Sequence, residues 1–303
     1  MKIVISGGTG FIGKRLVERL AAERHTIILL TRNPAAMRTT AYPNVQARIW
    51  DGKSVGEWCA DVEGAGAVIN LAGEPIAAKR WSASQKAKIL ETRVNATRAI
   101  VAAIKQANKK PAVLVNGSAV GYYGAVEHGE VTESHKKGSG FLADVVEQWE
   151  LEARVAESLG VRVALLRTGV VLGAGGGALE KMALQFKMFA GGTIGSGRQW
   201  FPWVHRDDIV NMILFGLENS QFSGAINAAA PEAATMKQFC TALGVAMHRP
   251  SWAPVPGIIL KLALGEMSEM LLTGQRVVPS RLVALGYPFQ FPKLDSALAD
   301  IFS

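Results

Sequence analysis

"KIVISGGTGFIG" (residues 2–13) decides how the chain begins to fold. Ile3, Val4 and Ile5 form a short β-branched run of the kind found in strands buried on both faces. Gly7, Gly10 and Gly13 follow at three-residue intervals, and from Gly8 the stretch also reads G-x-G-x-x-G. Ile12, Leu16 and Leu20 then recur every four residues, which predicts a helix. Glycines between a strand and a helix let the backbone turn tightly and approach a pyrophosphate with no Cβ in the way. The free amides and dipole at the helix start favour the phosphate charge. The stretch therefore predicts a dinucleotide-binding unit, with Gly7, Gly10 and Gly13 as its phosphate loop.

The same alternation continues outward. Apolar runs at 26–30, 45–50, 67–72, 112–116 and 161–166 read as strands, and 11–22, 54–60, 81–107 and 141–159 as helices. That order predicts an α/β, Rossmann-type doubly wound parallel sheet. After about residue 170 the pattern loosens into two glycine-rich loops, "LGAGGGALEKM" (172–182) and "AGGTIGSGRQWFPW" (190–203). Helices near 178–189, 206–218 and 235–244 and a strand at 224–229 accompany them. Pro250, Pro254 and Pro256 introduce a small, mostly helical appendage. The expected division is 1–215 for the nucleotide-binding domain, with substrate-side loops from about 170, and 249–301 for a small C-terminal domain.

The second strand ends "LLTRNP" (29–34). An NAD site would place an acid here on the ribose hydroxyls; Thr31 and Arg32 stand there instead. A guanidinium pairs well with a 2′-phosphate, so the expected cofactor is NADP(H). "NLAG" (70–73) ends the fourth strand with small residues that let adenosine or ribose approach.

Bulk composition narrows the partners. The 303 residues carry a net charge of +8, but the cations are scattered with no run of five, which argues against nucleic acid. The surplus suits an anionic small molecule, with Arg198 and Arg206 near the glycine loops. No apolar run reaches membrane-spanning length, so no membrane partner is expected. Cys59 and Cys240 are far apart, without metal or disulfide spacing, and no metal is assigned. The expected location is cytoplasmic.

"GGTGFIG", "NLAG", "RVNATRAI", "NGSAVGYYG" and "WVHRDDIV" stand in the order and near the spacing of extended short-chain dehydrogenases/reductases. More narrowly, the chain resembles the atypical YfcH-type epimerase subgroup, whose members add a small C-terminal domain similar to 265–292. The resemblance covers nearly the whole chain. It implies that Thr9, Gly10, Phe11 and Ile12 line the diphosphate, and that Thr31 and Arg32 hold the adenosine phosphate. Leu71, Ala72 and Gly73 would line the cofactor cleft, with Arg93 in reach of it and Asn95 at the family's helix asparagine. Ser118 would be the active-site serine, Val170 and Val171 would pass the nicotinamide, and His205 to Asp208 would form a substrate-side loop. A homodimer would pair helices 81–107 and 141–159 across its interface, the second through Phe141, Val145, Val146 and Trp149.

One expected piece is absent. Enzymes of this superfamily use Tyr-x-x-x-Lys on the helix after the serine strand. The tyrosines here are Tyr42, Tyr122, Tyr123 and Tyr287, and none has a lysine four residues on. Two readings follow. In one, the protein is an NADP-dependent oxidoreductase or epimerase acting on a carbonyl or sugar-nucleotide-like substrate, with Ser118, Tyr122, Tyr123 or His205 supplying the chemistry. In the other, it binds NADP(H) as a sensor or regulatory protein with little turnover. "VHRDD" (204–208) also reads as a helix start, with Asp207 or Asp208 capping the free amides. Trp200, Phe201 and Trp203 suit either core packing or a pocket floor.

Overall fold

The computed structural model describes residues 1–33 and 42–303. Its central sheet starts with β1 (Lys2–Ser6), β2 (Thr26–Thr31), β3 (Val45–Ile49), β4 (Ala67–Asn70) and β5 (Val113–Ala119). After the short β6 (Glu130–Val131) comes β7 (Arg162–Thr168). The small strands β8 (Val170–Leu172), β9 (Trp200–Phe201) and β10 (Trp203–His205) precede the last sheet strand, β11 (Gly224–Ala228). The sheet order is β11-β7-β5-β4-β1-β2-β3, with every neighbouring pair parallel. The fold is the expected Rossmann-type doubly wound sheet. The sheet takes in β11, so the α/β layer runs past residue 215, where the sequence pattern placed its end.

Side chains alternate across each strand, and helices cover both faces. Ile3, Ile5, Ile27, Leu29, Ile69, Val115 and Leu166 face α1 (Phe11–Ala22), which presents Leu16 and Leu20, and the helix over Arg206–Glu218, which presents Ile209 and Ile213. Val4, Ile28, Val68, Leu114, Val163 and Leu165 face α2 (Ala83–Gln106) and α3 (Phe141–Arg154). Each such side chain contributes about 1.5–3 kcal/mol by leaving water. The helix expected over 141–159 is in two parts. α3 stops at Arg154 and tightens into a 3₁₀ turn over 155–159, closed by Gly160 in the left-handed region. The stretch at 54–60 is also a 3₁₀ turn, over Glu57–Val62.

α2 and α3 pack on each other within one chain. Val145, Val146 and Trp149, the apolar positions expected to serve a dimer, are buried inside the protomer. The apolar residues this segment leaves exposed are Leu151 and Val155.

Beyond the sheet lie α4 (Gly177–Lys187), α5 (Arg206–Glu218), β12 (Ala234–Thr235), α6 (Met236–Ala246) and α7 (Gly257–Leu264). The chain ends with α8 (Glu269–Leu272), β13 (Arg276–Val277), α9 (Ser280–Ala284) and α10 (Leu294–Phe302). Phe201, Trp203, Phe239, Leu243, Leu294 and Leu298 share one core, so Phe201 and Trp203 are packing residues. Asp208 docks the last segment. Its carboxylate accepts from the Gln290 and Phe291 amides, both at 2.9 Å, and from the Tyr287 hydroxyl at 3.1 Å.

Candidate functional site

The glycines of the first loop divide the work. Gly7 has φ +73°, and a Cβ there would lie 2.5 Å from the Leu71 carbonyl carbon. A Cβ on Gly13 would lie 2.2 Å from the Gly7 oxygen, so Gly13 lets α1 close onto the loop. Gly10 differs. Its backbone is extended (φ −78°, ψ 179°), and a Cβ would meet only the Gly7 oxygen, at 3.2 Å. Gly10 is also the N-cap of α1, and no side chain caps that end. The α1 amides thus face open space across the one glycine whose side would touch a ligand.

The neighbouring strand ends complete this rim. Thr31 is buried and its hydroxyl accepts from the Asn33 amide. Arg32 is exposed, with no hydrogen bond or ion pair among the described residues. Leu71 donates its amide to the Ser6 carbonyl, which seats the 71–73 turn beside Gly7. Arg93 does not reach freely. It donates to the carbonyls of Glu74 and Ile89, stacks over Trp149 at 5.2 Å and lies against Gly73. Burial pushes its pKa down to about 10. It braces the turn that the cofactor reading needs. Phe11 packs on Gly173, Gly176 and Gly177, with the Arg206 guanidinium 5.0 Å from its ring. A cavity of about 320 Å³ beside it is lined by Thr9, Gly10, Phe11, Lys14 and Arg206, among others.

The sheet face toward α2 and α3 turns polar at its carboxyl end. Ser6, Asn70 and Asn116 are register partners on adjacent strands. Asn70 accepts from the Ser6 hydroxyl at 2.6 Å and donates to Asn116 and Thr97, and Trp149 also donates to Thr97. Two residues further on, a second row crosses β5, β7 and β11: Ser118, Arg167 and Asn227, again in register. Glu150 reaches down from α3 into this row. Its Oε1 accepts from the Ser118 hydroxyl at 2.6 Å and from Arg167 Nε at 2.8 Å, and its Oε2 accepts from Arg167 Nη2 at 2.8 Å. Ser118, Glu150 and Arg167 are each no more than 5% exposed. Burial works against the Arg167 charge, but the two bonds to Glu150 outweigh it and its pKa is raised.

Donor and acceptor roles in this network are fixed. Asn227 Nδ2 donates to the carbonyls of Val131 and Val278, so its Oδ1 accepts. Tyr123 donates its phenolic proton there at 2.6 Å and accepts from Arg167 Nη1 at 3.0 Å. Burial pushes the Tyr123 pKa up to about 12. Ser118 has one proton, and Glu150 holds it. What Ser118 can offer a ligand is therefore lone pairs. Tyr122 is partly exposed, with its ring 3.6 Å over the Arg167 guanidinium and its hydroxyl without a partner among the described residues. Val170 follows β7, and its amide donates to the Pro202 carbonyl. Glu150 and Arg167 escape motif reading, yet each leaves a trace. Glu150 lies on the apolar stripe of Ala143, Val146 and Ala153, and Arg167 on the alternation of Val163 and Leu165.

"VHRDD" caps the helix differently from the expectation. His205, not an aspartate, is the N-cap of α5, and its Nδ1 accepts from the Asp207 amide. Asp207 instead pairs with Arg15 through two bonds of 2.9 Å. An accepting Nδ1 keeps the imidazole neutral, and burial lowers its pKa, although Asp207, Asp300 and Asp208 oppose that shift. His205 is thus a poor proton donor here. A lowered pKa favours the neutral form in the folded state. Stability from this group is full above the unfolded value of about 6.5 and is lost as pH falls through the folded value. Urea melts between pH 7.5 and 5 should show a loss on acidification that His205→Asn, which keeps a capping acceptor, flattens.

Known proteins resemble this chain over nearly its whole length. The profile of the "NAD dependent epimerase/dehydratase family" matches residues 3–229, and that of a domain of unknown function (DUF1731) matches 255–301. The chain is 44% identical to the chloroplastic epimerase family protein SDR39U1 homolog of Arabidopsis thaliana, over 99% of this chain and 86% of that one. It is 38% identical to epimerase family protein YfhF of Bacillus subtilis, over 100% and 98%. The crystal structure of human epimerase family protein SDR39U1 with NADPH superposes with a TM-score of 0.90 at 35% identity, over 100% of this chain and 99% of that one. A Bacillus cereus UDP-glucuronic acid 4-epimerase, at 18% identity and a TM-score of 0.81, shares the fold. With its glycine loop, its parallel sheet and its appended C-terminal segment all matched, the chain belongs to the NAD dependent epimerase/dehydratase family.

Proposed function

We propose that this protein binds NADP(H) across the carboxyl edge of its sheet and serves hydride transfer on a carbonyl or sugar-nucleotide-like substrate, without the usual Tyr-x-x-x-Lys. The observation that carries the reading is the start of α1, where no side chain caps the helix and Gly10 leaves the approach open, with the exposed Arg32 at the next strand end. When bound, the cofactor supplies or takes up a hydride. The chain's own part is to hold the diphosphate on the α1 amides and the 2′-phosphate on Arg32. Gly73 would line the cofactor cleft and Val170 would stand beside the nicotinamide, and Ser118 would offer an acceptor for a substrate hydroxyl or amide. Of Ser118, Tyr122 and Tyr123, Tyr122 has the uncommitted proton, so Tyr122 is the proposed acid. Lys14 and Arg206 near the mouth suit an anionic substrate.

Two measurements test this. Fluorescence titration should show tighter binding of NADPH than NADH. Arg32→Ala should cost NADPH about 1.5–3 kcal/mol, the range for a charge-assisted hydrogen bond, and leave NADH unchanged. Equal affinities in the parent protein would overturn the NADP assignment. A panel of carbonyl and sugar-nucleotide compounds should reveal NADPH consumption that Tyr122→Phe abolishes while cofactor affinity holds within about threefold. Undiminished turnover in Tyr122→Phe would remove Tyr122 from the chemistry.

A second reading has its own support. Ser118 and Tyr123 both commit their protons inside the protein, as suits a nucleotide sensor with little turnover. It predicts no turnover in the parent protein, and a conformation or partner that changes between NADP and NADPH.

A further inference from the structure

Apolar side chains that ordinarily seek a core stand in solvent on one lobe of this protein. α7 reads "GIILKLAL" and buries none of its residues. Ile258, Ile259 and Leu262 are 53–73% exposed. Leu184, Met188 and Phe189, at the end of α4, are more than half exposed, as are Trp252 and Val245. These pieces are joined. The Trp252 indole donates to the Phe189 carbonyl, the Arg249 guanidinium lies 4.5 Å over the Phe189 ring, and residues 191–194 bridge to 251–255, which lead into α7. Exposed apolar side chains grouped in this way mark a contact.

Charge says what covers it. Each apolar piece brings a cation: Lys187 beside Met188, Arg249 over Phe189, and Lys261 within α7. The segments 181–205 and 233–265 contain no aspartate or glutamate, and the acids nearest in sequence, Glu180, Glu232 and Glu266, stand at their borders. A second copy set against this face about a two-fold axis would bring Lys187, Arg249 and Lys261 of both copies to one interface, with acids only at its borders. An anionic bilayer surface meets both features. It accepts apolar side chains just below the headgroups, places tryptophan at the interface and attracts lysine and arginine. No helix among the described residues is long and apolar enough to cross a membrane, and an interfacial contact needs none.

We propose that the face formed by the end of α4, the 245–252 segment and α7 docks on anionic phospholipid surfaces. The site goes beyond the cofactor reading and does not depend on it. The test uses the full chain and flotation with vesicles of phosphatidylcholine alone or with about one-third phosphatidylglycerol, the large anionic share chosen so that a contact of about three cations registers. Binding is expected to the anionic vesicles only, weakening but persisting as salt rises. Ile258→Ser with Leu262→Ser, both at exposed positions, should lower partitioning at least tenfold, as should Lys187→Glu with Arg249→Glu. Brominated lipid should quench tryptophan fluorescence, and Trp252→Phe should remove most of that quenching. NADPH affinity in the same variants should stay at the parent value, so that a failure here is separate from a failure of the cofactor site. Four results would overturn the proposal. One is no flotation with anionic vesicles at low salt, which would leave an acidic protein segment as the occupant. Another is flotation that the serine variants do not change, which would be charge adsorption alone. The third is quenching that survives Trp252→Phe. The last is concentration-dependent self-association that the serine variants abolish, which would make the face an interface between copies.

Discussion

Gly10→Val should leave the protein folded and take NADPH binding below detection, at least a hundredfold loss. The backbone at Gly10 is extended, which any residue adopts, and a new Cβ meets only one oxygen, at 3.2 Å. The Gly7 oxygen has only a few tenths of an ångström to yield to the new Cβ. What the valine occupies is the space in front of the α1 amides, where a pyrophosphate has to come close to gain their charge. Circular dichroism and a urea melt close to the parent's, together with no fluorescence change on adding NADPH, are the expected results. Gly13→Val gives the contrast. Its Cβ would stand 2.2 Å from the Gly7 oxygen and 2.5 Å from the Gly8 Cα, both backbone atoms that cannot step aside. That variant should lose stability as well as binding. A folded Gly10→Val protein with normal NADPH affinity would show that the phosphates lie elsewhere.

Glu150→Ala should destabilise the protein by about 3–5 kcal/mol, the cost of leaving a buried charge without its partner. Arg167 would keep its charge inside the sheet with no carboxylate, and Ser118 would keep a proton with no acceptor. Arg167→Ala should cost a similar amount, since Glu150 would be stranded and Tyr123 would lose a donor. Because the two residues share one interaction, the double variant should be far less unstable than the sum of the singles. Ser118→Ala should cost much less, as it leaves both bonds of the ion pair in place. Urea denaturation of the four variants measures all of this. A loss under about 1 kcal/mol in Glu150→Ala would mean that the row is open to water and is not the closed network described above.

The two results concern parts of the molecule that were unequally legible. The glycine loop could be read because its three constraints fall on adjacent turns of one short segment, where sequence spacing is spatial spacing. Strand and helix periods were legible for the same reason, and the observed α1 and α5 have the expected limits. At the carboxyl ends of β5, β7 and β11 the sequence was legible only as a gap, the missing Tyr-x-x-x-Lys. The polar network found there is made from Ser118, Glu150, Arg167 and Asn227, spread over 110 residues on three strands and a helix. Tyr122 and Tyr123 are neighbours in sequence and looked equivalent. The backbone turns between them, so Tyr123 goes into the core against Asn227 while Tyr122 stays partly exposed over Arg167.

The sequence by itself thus determined the order of the main strands and helices, the glycine turn between β1 and α1, and the placing of Arg32 where an NAD site carries an acid. These depend on local period, backbone freedom and the charge of one residue. Tertiary structure decided which hydroxyl protons are free, that His205 rather than Asp207 caps α5, and that Val145, Val146 and Trp149 lie inside the protomer. It also decided that α7, as apolar as a core helix, faces solvent. Such outcomes rest on register across the sheet and on which faces meet, and neither is written in the spacing of residues along the chain.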